Sequence, residues 1–342
     1  MTRALHLAAC ILLYSISVQA MEGQREHAML LSGQWEFALG DGNERPYDAG
    51  GDEGLLWKKV MLPGRFVPYS VEATRDIAFV WARRTFKLSP EDAAALSHDG
   101  TRIAVLRWNR IAHGARAYIN GREVGYNEPT GPYQVVLPRG AFNAGENEIL
   151  LKIAGAAGVR RAKSGHFLFP CGQIWGPSRP ELVGVMQDVW IDFADRAYMK
   201  WILALPRVNE DCVTIRVTPV ALRSLDDLDV DVTVRPWRAN EVIGYGEGRA
   251  QAIVATDPLD GEHSRIDVPL SDFAPWTPRS PQLYTASVRL LKDGRLLDEA
   301  TIRFGMREID VVNGDYRLNG KSLWIRGSNL VHEWEWASVI DG

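Results

Sequence analysis

Along most of this chain apolar and polar residues alternate in short runs, the two-residue period of half-buried antiparallel strands. Gly33-Gln34-Trp35-Glu36-Phe37 opens the series, and residues 57–64, 80–88, 103–108, 133–137 and 148–153 continue it. Residues 115–119 and 122–126 flank Asn120-Gly121. That pair predicts a two-residue hairpin, because both central positions of such a turn need positive φ. Gly145-Glu146-Asn147 reads as the turn into 148–153. One helix is predicted. Ser89 is its N-cap, Pro90 takes the first helical position where a missing N–H does no harm, and Glu91 and Asp92 complement the dipole. It should end near His98-Asp99-Gly100.

From residue 201 the same period resumes. Val213, Ile215 and Val217 alternate with Thr214, Arg216 and Thr218; Leu228, Val230, Val232 and Val234 alternate with Asp229, Asp231 and Thr233. Asp293-Gly294 turns 285–291 into 296–304. Two further turn signals, Asn313-Gly314 and Asn319-Gly320, sit among Ile309, Val311, Val312, Tyr316, Leu318, Trp324 and Ile325. They predict strand, turn, strand, turn, strand, the last ending in Arg326-Gly327-Ser328-Asn329. Many short strands at regular spacing make an all-β protein of sandwiches. The first, over 21–200, reads as a jelly roll. The second, over 201–308, has the length and spacing of an immunoglobulin-like sandwich. No fixed-period repeat and no low-complexity linker interrupts them.

A length of 342 residues suits two or three domains. Hydrophobic residues at 46% and charged ones at 24% are ordinary for a soluble globular chain. A net charge of −4 speaks against nucleic acid as a partner, which rewards a basic surface. After residue 20 no apolar run reaches the roughly 18 positions of a membrane span. Residues 1–20 read as a signal peptide: Arg3, an apolar run over 4–16, and Val18-Gln19-Ala20 as the cleavage site. The expectation is export to the periplasm or beyond. The mature chain would keep Cys171 and Cys212, as one bridge or as two buried thiols, and neither is a framework. The histidines lack paired zinc-site spacing, and there is no phosphate loop or Gly-x-Ser-x-Gly elbow. No metal or cofactor is expected. Trp35, Trp57, Trp81, Trp108 and Trp190 lie inside strand patterns, where core packing is the default.

Several motifs carry a family resemblance. In the first domain they are Gly33-x-Trp35-x-Phe37, Trp57-x-x-Val60-x-Leu62-Pro63-Gly64, Arg84-Thr85-Phe86, Ala117-Tyr118-Ile119-Asn120-Gly121, Gly145-Glu146-Asn147 and Gly184-Val185-Met186-Gln187-Asp188-Val189-Trp190. In the second they are Trp276-x-Pro278-x-x-Pro281-x-Leu283-Tyr284 and Phe304-Gly305-Met306-Arg307-Glu308. Leu318-Asn319-Gly320-Lys321 and Arg326-Gly327-x-Asn329 follow. In this order they resemble glycoside hydrolase family 2, which includes β-galactosidases, β-glucuronidases and β-mannosidases. The family commonly has arginine where this chain has Gln187.

The resemblance implies a sugar-binding-type jelly roll, an immunoglobulin-like sandwich, and then a (β/α)8 catalytic barrel. It also implies a retaining glycosidase acting on a carbohydrate substrate, with two glutamates roughly 5–5.5 Å apart. Such a barrel needs about 250 residues, and only residues 305–342 follow Phe304. Residues 309–342 are therefore expected to hold a hairpin and the first barrel strand, over 323–326. Both catalytic glutamates are expected beyond Gly342, leaving this chain alone inactive. Substrate contacts are expected from the end of that strand and just after it: Arg326, Asn329, His332 and Glu333. A second set, Gln173, Trp175 and Glu181, lies on the Gly/Pro-rich loop 163–181, which in the family reaches the active-site mouth. The alternative function is a stand-alone secreted carbohydrate-binding or adhesion module without catalysis.

Overall fold

A computed structural model of the chain describes residues 24–25, 28–40, 55–66, 77, 79–112, 114–127, 132–155, 183–223, 225–254 and 264–327. Its regular elements are nearly all strands, and its described residues divide into one unit over Ala28–Phe193 and another over residues 194–327 together with Gln24–Arg25.

The first unit is a sandwich. Its larger sheet orders six strands as Arg122–Asn127, Ala115–Ile119, Gly145–Ala154, Phe79–Leu88, Gly33–Gly40 and Lys58–Leu62. The smaller orders Tyr133–Val136, Arg102–Trp108, Val189–Asp195 and Ala28–Leu30. Alternation decides which side chains meet between them. Val80, Ala82, Phe86, Ile149, Leu151 and Ile153 face Leu106, Trp108 and Ile191 in one continuous core. Trp35 is buried there, its indole N–H donating to the Leu31 carbonyl at 2.6 Å. Ala38, Trp81 and Leu150 point the other way and form a second apolar cluster with Leu55, flanked by Trp57 and Tyr118. The central strands are thus apolar on both faces.

The helix forms over Pro90–Ala95, capped as expected: the Ser89 hydroxyl accepts from the Asp92 N–H at 3.0 Å. It stops at Leu96, earlier than expected. Gly145-Glu146-Asn147 is not a turn but the start of the strand Gly145–Ala154, paired with Leu88, Lys87 and Phe86. Asn147 explains the difference. Its buried amide accepts from the Asn143 N–H at 2.8 Å and donates to the Asn143 carbonyl at 2.9 Å. The asparagine that looks like a turn former closes the preceding turn from inside the strand. Asn120, at φ 47, donates to the Asn147 side chain at 2.8 Å and ties the expected hairpin to the same point. Where the family commonly has arginine after Met186, the Gln187 N–H donates to the Arg110 carbonyl at 3.3 Å, and the Asp188 carboxylate accepts from the Ser32 hydroxyl.

The second unit orders Gln24–Arg25, Arg295–Phe304, Tyr284–Lys292, Leu225–Pro236, Gly244–Val254, Cys212–Ala221 and Ala197–Arg207, with Ser264–Pro269 also on Cys212–Ala221. Gly244–Val254 joins two layers: it runs antiparallel to Leu225–Pro236 and meets Cys212–Ala221 only at Val220 and Ala221. Between the layers lie Val213, Ile215, Val217, Leu228, Val230, Val232, Ala286 and Val288. A Cβ on Gly244, Gly246 or Gly248 would come within 2.5, 2.9 and 2.7 Å of Leu270, Val268 and Ile266. Those three positions, two residues apart, keep one face of the strand bare so that the neighbouring chain can lie directly on it. Cys212 is buried and free; Cys171 lies outside the described residues.

Candidate functional site

The expected junction folds as a three-stranded sheet: Ile309–Val312, Asp315–Leu318 and Lys321–Ser322. Asn313-Gly314 and Asn319-Gly320 make its turns, all four residues at positive φ (54, 88, 49 and 75). Asn319 does more than turn the chain. Its side-chain oxygen accepts from the Glu308 N–H at 2.9 Å, and its amide donates to the Trp276 carbonyl at 3.0 Å. The Trp276 N–H donates in turn to the Met306 carbonyl at 2.8 Å, and the Arg307 guanidinium lies 4.8 Å from the Trp276 ring centre. A Cβ on Gly305 would sit 3.0 Å from that ring. Trp276, Gly305, Met306, Arg307, Glu308 and Asn319 are thus one joint. Motifs separated in sequence, Trp276 on one side and residues 305–308 and 319 on the other, serve one purpose, holding the hairpin against the end of the sandwich.

Beyond the joint the expected strand over 323–326 does not form. The ladder ends at Ser322, with one more bond from the Leu323 N–H to the Tyr316 carbonyl at 2.7 Å. A strand needs a neighbour on its edge, and among the described residues 323–327 has none past that bond. Trp324 is 83% exposed and Ile325 58%, and Ile309, Val311 and Val312 are exposed on the same small sheet. Arg326 is exposed and outside any strand. Asn329, His332, Glu333, Gln173, Trp175 and Glu181 lie outside the described residues. Of the expected contacts, then, only Arg326 has a described position.

A concavity among the described residues lies elsewhere, on the outer face of the six-stranded sheet. It measures about 570 Å³ and is lined by residues 34–36, 83–85 and 148. Strand register puts Glu36 opposite Arg83 and Thr85 opposite Glu148. Glu36 and Arg83 pair at 2.9 Å, and Arg83 stacks 3.9 Å from the Trp57 ring centre. Arg84 anchors the strand entry by donating to the Leu31 carbonyl at 2.7 Å, and its burial lowers its pKa. The groove's paired charges and hydroxyl suit a polar ligand. They supply no activated nucleophile. Among the described residues no group of three or more His, Cys, Asp or Glu gathers to hold a metal, and no helix is long and apolar enough to cross a membrane.

The fold defines a class: consecutive antiparallel β-sandwiches closed by a hairpin joint. Comparison with known proteins narrows it. Residues 208–307 match the model of the family described as Glycosyl hydrolases family 2. A β-glucuronidase of Streptococcus agalactiae is 25% identical over 305 residues, 87% of this chain and 46% of that protein. A β-galactosidase of Oenococcus oeni is 25% identical over 233 residues, 67% of this chain and 21% of that one. Among solved structures, a β-glucuronidase from Ruminococcus gnavus superposes with a TM-score of 0.63 at 19% identity, covering 89% of this chain and 50% of that one. A family 2 member from Bacteroides cellulosilyticus gives 0.58 at 17% identity, over 86% and 38%. Residues 208–307 thus carry the family's match, and the chain is similar over most of its length to members of glycoside hydrolase family 2. It spans half or less of the length of these relatives.

Proposed function

We propose that this chain is the N-terminal, non-catalytic portion of an exported family 2 glycosidase that hydrolyses β-linked O-glycosyl bonds with retention. One observation carries the reading. The hairpin joint delivers the chain into Trp324 and Ile325, which stand in water, as does Val311 on the hairpin. An exposed indole beside an exposed branched residue is surface that a folded protein normally covers. A catalytic barrel starting at residue 323 covers it, by giving 323–326 a strand on each side. The two glutamates of the retaining mechanism then belong to that barrel, beyond Gly342, and Arg326 with Asn329, His332 and Glu333 forms part of its rim. Gln173, Trp175 and Glu181 reach the same rim from the loop of the first sandwich. Export rests on the leader pattern of residues 1–20.

The test has two arms. The 342-residue chain is assayed on chromogenic β-galactosides, β-glucuronides and β-mannosides, beside a product of the reading frame extended past Gly342. Hydrolysis by the extended product alone is the expected result. Turnover by the short chain, or a stop codon directly after Gly342, refutes it. Binding of the short chain to neutral glycans without any extended frame favours the stand-alone module. Fusing residues 1–20 to a reporter active only outside the cytoplasm tests export.

A further inference from the structure

The outer face of the second sandwich has an arginine row that its internal ion pairs leave unused. Arg235, Thr285 and Arg303 stand opposite one another on three adjacent strands, so their side chains share one face. Trp237, just past the strand end, is 38% exposed. The Arg238 guanidinium lies 4.1 Å and the Arg303 guanidinium 4.9 Å from its ring centre. A guanidinium stacked by its flat face keeps its N–H edge open, in the fork geometry that matches an oxyanion. Elsewhere on this unit arginines are spent on carboxylates: Arg249 on Asp229 at 2.9 Å, Arg295 on Asp195 at 2.6 Å and Arg207 on Asp267 at 2.9 Å. Among the described residues none of Arg235, Arg238 and Arg303 has a carboxylate within 4 Å.

The next row along the same strands is made of hydroxyls. Thr233, Ser287 and Thr301 are in register, with Ser287 and Thr301 bonded at 3.1 Å, and Tyr245 stands opposite Thr233. Cationic forks beside a line of neutral donor–acceptor groups match a polymer bearing both oxyanions and hydroxyls.

We propose that this face, centred on Trp237, binds an anionic polysaccharide, with Arg235, Arg238 and Arg303 taking its carboxylate or sulfate groups and the hydroxyl row taking its sugar hydroxyls. The proposal rests on the glycosidase reading only in choosing a glycan as the ligand. A chain of net charge −4 has little general affinity for polyanions, so a local cationic row is what has to do the holding.

The test is affinity electrophoresis of the full 342-residue chain in gels containing polygalacturonate, dextran sulfate, neutral dextran or duplex DNA. Retardation by one or both anionic glycans and by neither dextran nor DNA is expected; which of the two retards names the anion. Arg303→Ala should weaken binding about fivefold, the upper range for an exposed ion pair, and Arg235→Ala with Arg303→Ala should weaken it further. Arg238→Ala, at an exposed loop position, repeats the test without touching a strand. Arg249→Ala, on the same sheet face but already paired, should leave retardation unchanged. No retardation, equal retardation by DNA, or equal loss in the Arg249 variant overturns the proposal. Glycan binding without hydrolysis by the extended product would refute the enzyme reading alone; hydrolysis without glycan retardation would refute this face alone.

Discussion

Replacing Asp192 by alanine should cost the first sandwich more than any single surface change. Asp192 and Arg107 sit on neighbouring strands of the four-stranded sheet and pair at 2.5 Å, with side chains only 1% and 10% exposed. The Arg107 guanidinium also stacks 4.3 Å from the Trp190 ring centre. At that separation and an effective dielectric of about 20, Coulomb attraction is on the order of 6–7 kcal/mol. Desolvation of both charges offsets most of it, so the pair adds little net stability over a well-packed apolar pair. Removing one partner is different, because the other charge stays buried. The expected loss for Asp192→Ala is about 3–5 kcal/mol, a large share of a stability of about 5–15 kcal/mol. Urea unfolding followed by circular dichroism reads it as a lowered midpoint for this sandwich. Arg107→Met with Asp192→Leu should recover most of the loss. A cost below about 1 kcal/mol for Asp192→Ala, or a double variant as unstable as the two single losses added, would refute the argument.

Asn120→Ala removes bonds to the Ala141 carbonyl at 2.9 Å, the Asn147 side chain at 2.8 Å and the Glu148 N–H at 2.9 Å, and leaves alanine at positive φ. A loss of about 2–3 kcal/mol in denaturant titration is expected, whereas Asn120→Gly, which accepts the positive φ without strain, should lose less. Gly246→Ala places a methyl 2.9 Å from Val268 and should destabilise the second sandwich by about 1–3 kcal/mol, seen as a lower thermal midpoint; an unchanged midpoint would contradict the packing described. The Tyr245 phenol donates to the Glu247 carboxylate, and that hydrogen bond leads the causes that push its pKa up to about 12. Because the folded value lies above the ordinary one near 10, any stabilisation from this pair is whole below about pH 10 and is lost as pH rises through about 12. Burial also raises the pKa values of Tyr118 and Tyr133, so ultraviolet phenolate titration should show a late-ionising component, of which Glu247→Gln brings down one tyrosine's share.

Legibility varied with the range of the cause. The Ser89–Pro90 helix start, the Asn120-Gly121 hairpin and both late Asn-Gly turns could be read directly, because each depends on the φ preferences or hydrogen bonds of two to four neighbouring residues. The strands Gly244–Val254 and Ser264–Pro269 did not stand out from the hydrophobic pattern. Gly244, Gly246 and Gly248 lower local β propensity, and only the chain lying against them shows why they are glycine. The spacing itself, three glycines two apart, is a signal of close backbone approach that the pattern did contain.

The sequence alone determined the all-β class, the strand alternation that makes two cores, and a motif order that resembles one enzyme family. Tertiary structure decided the rest: that Asn147 is buried inside a strand rather than turning a loop, that Trp276 and Asn319 meet in one joint, and that residues 323–326 do not pair as a strand. Period and turn chemistry act between neighbours and are written in neighbouring letters. A buried amide, a joint or a strand edge is defined by its partner, and the partner's position is fixed only once the chain has folded.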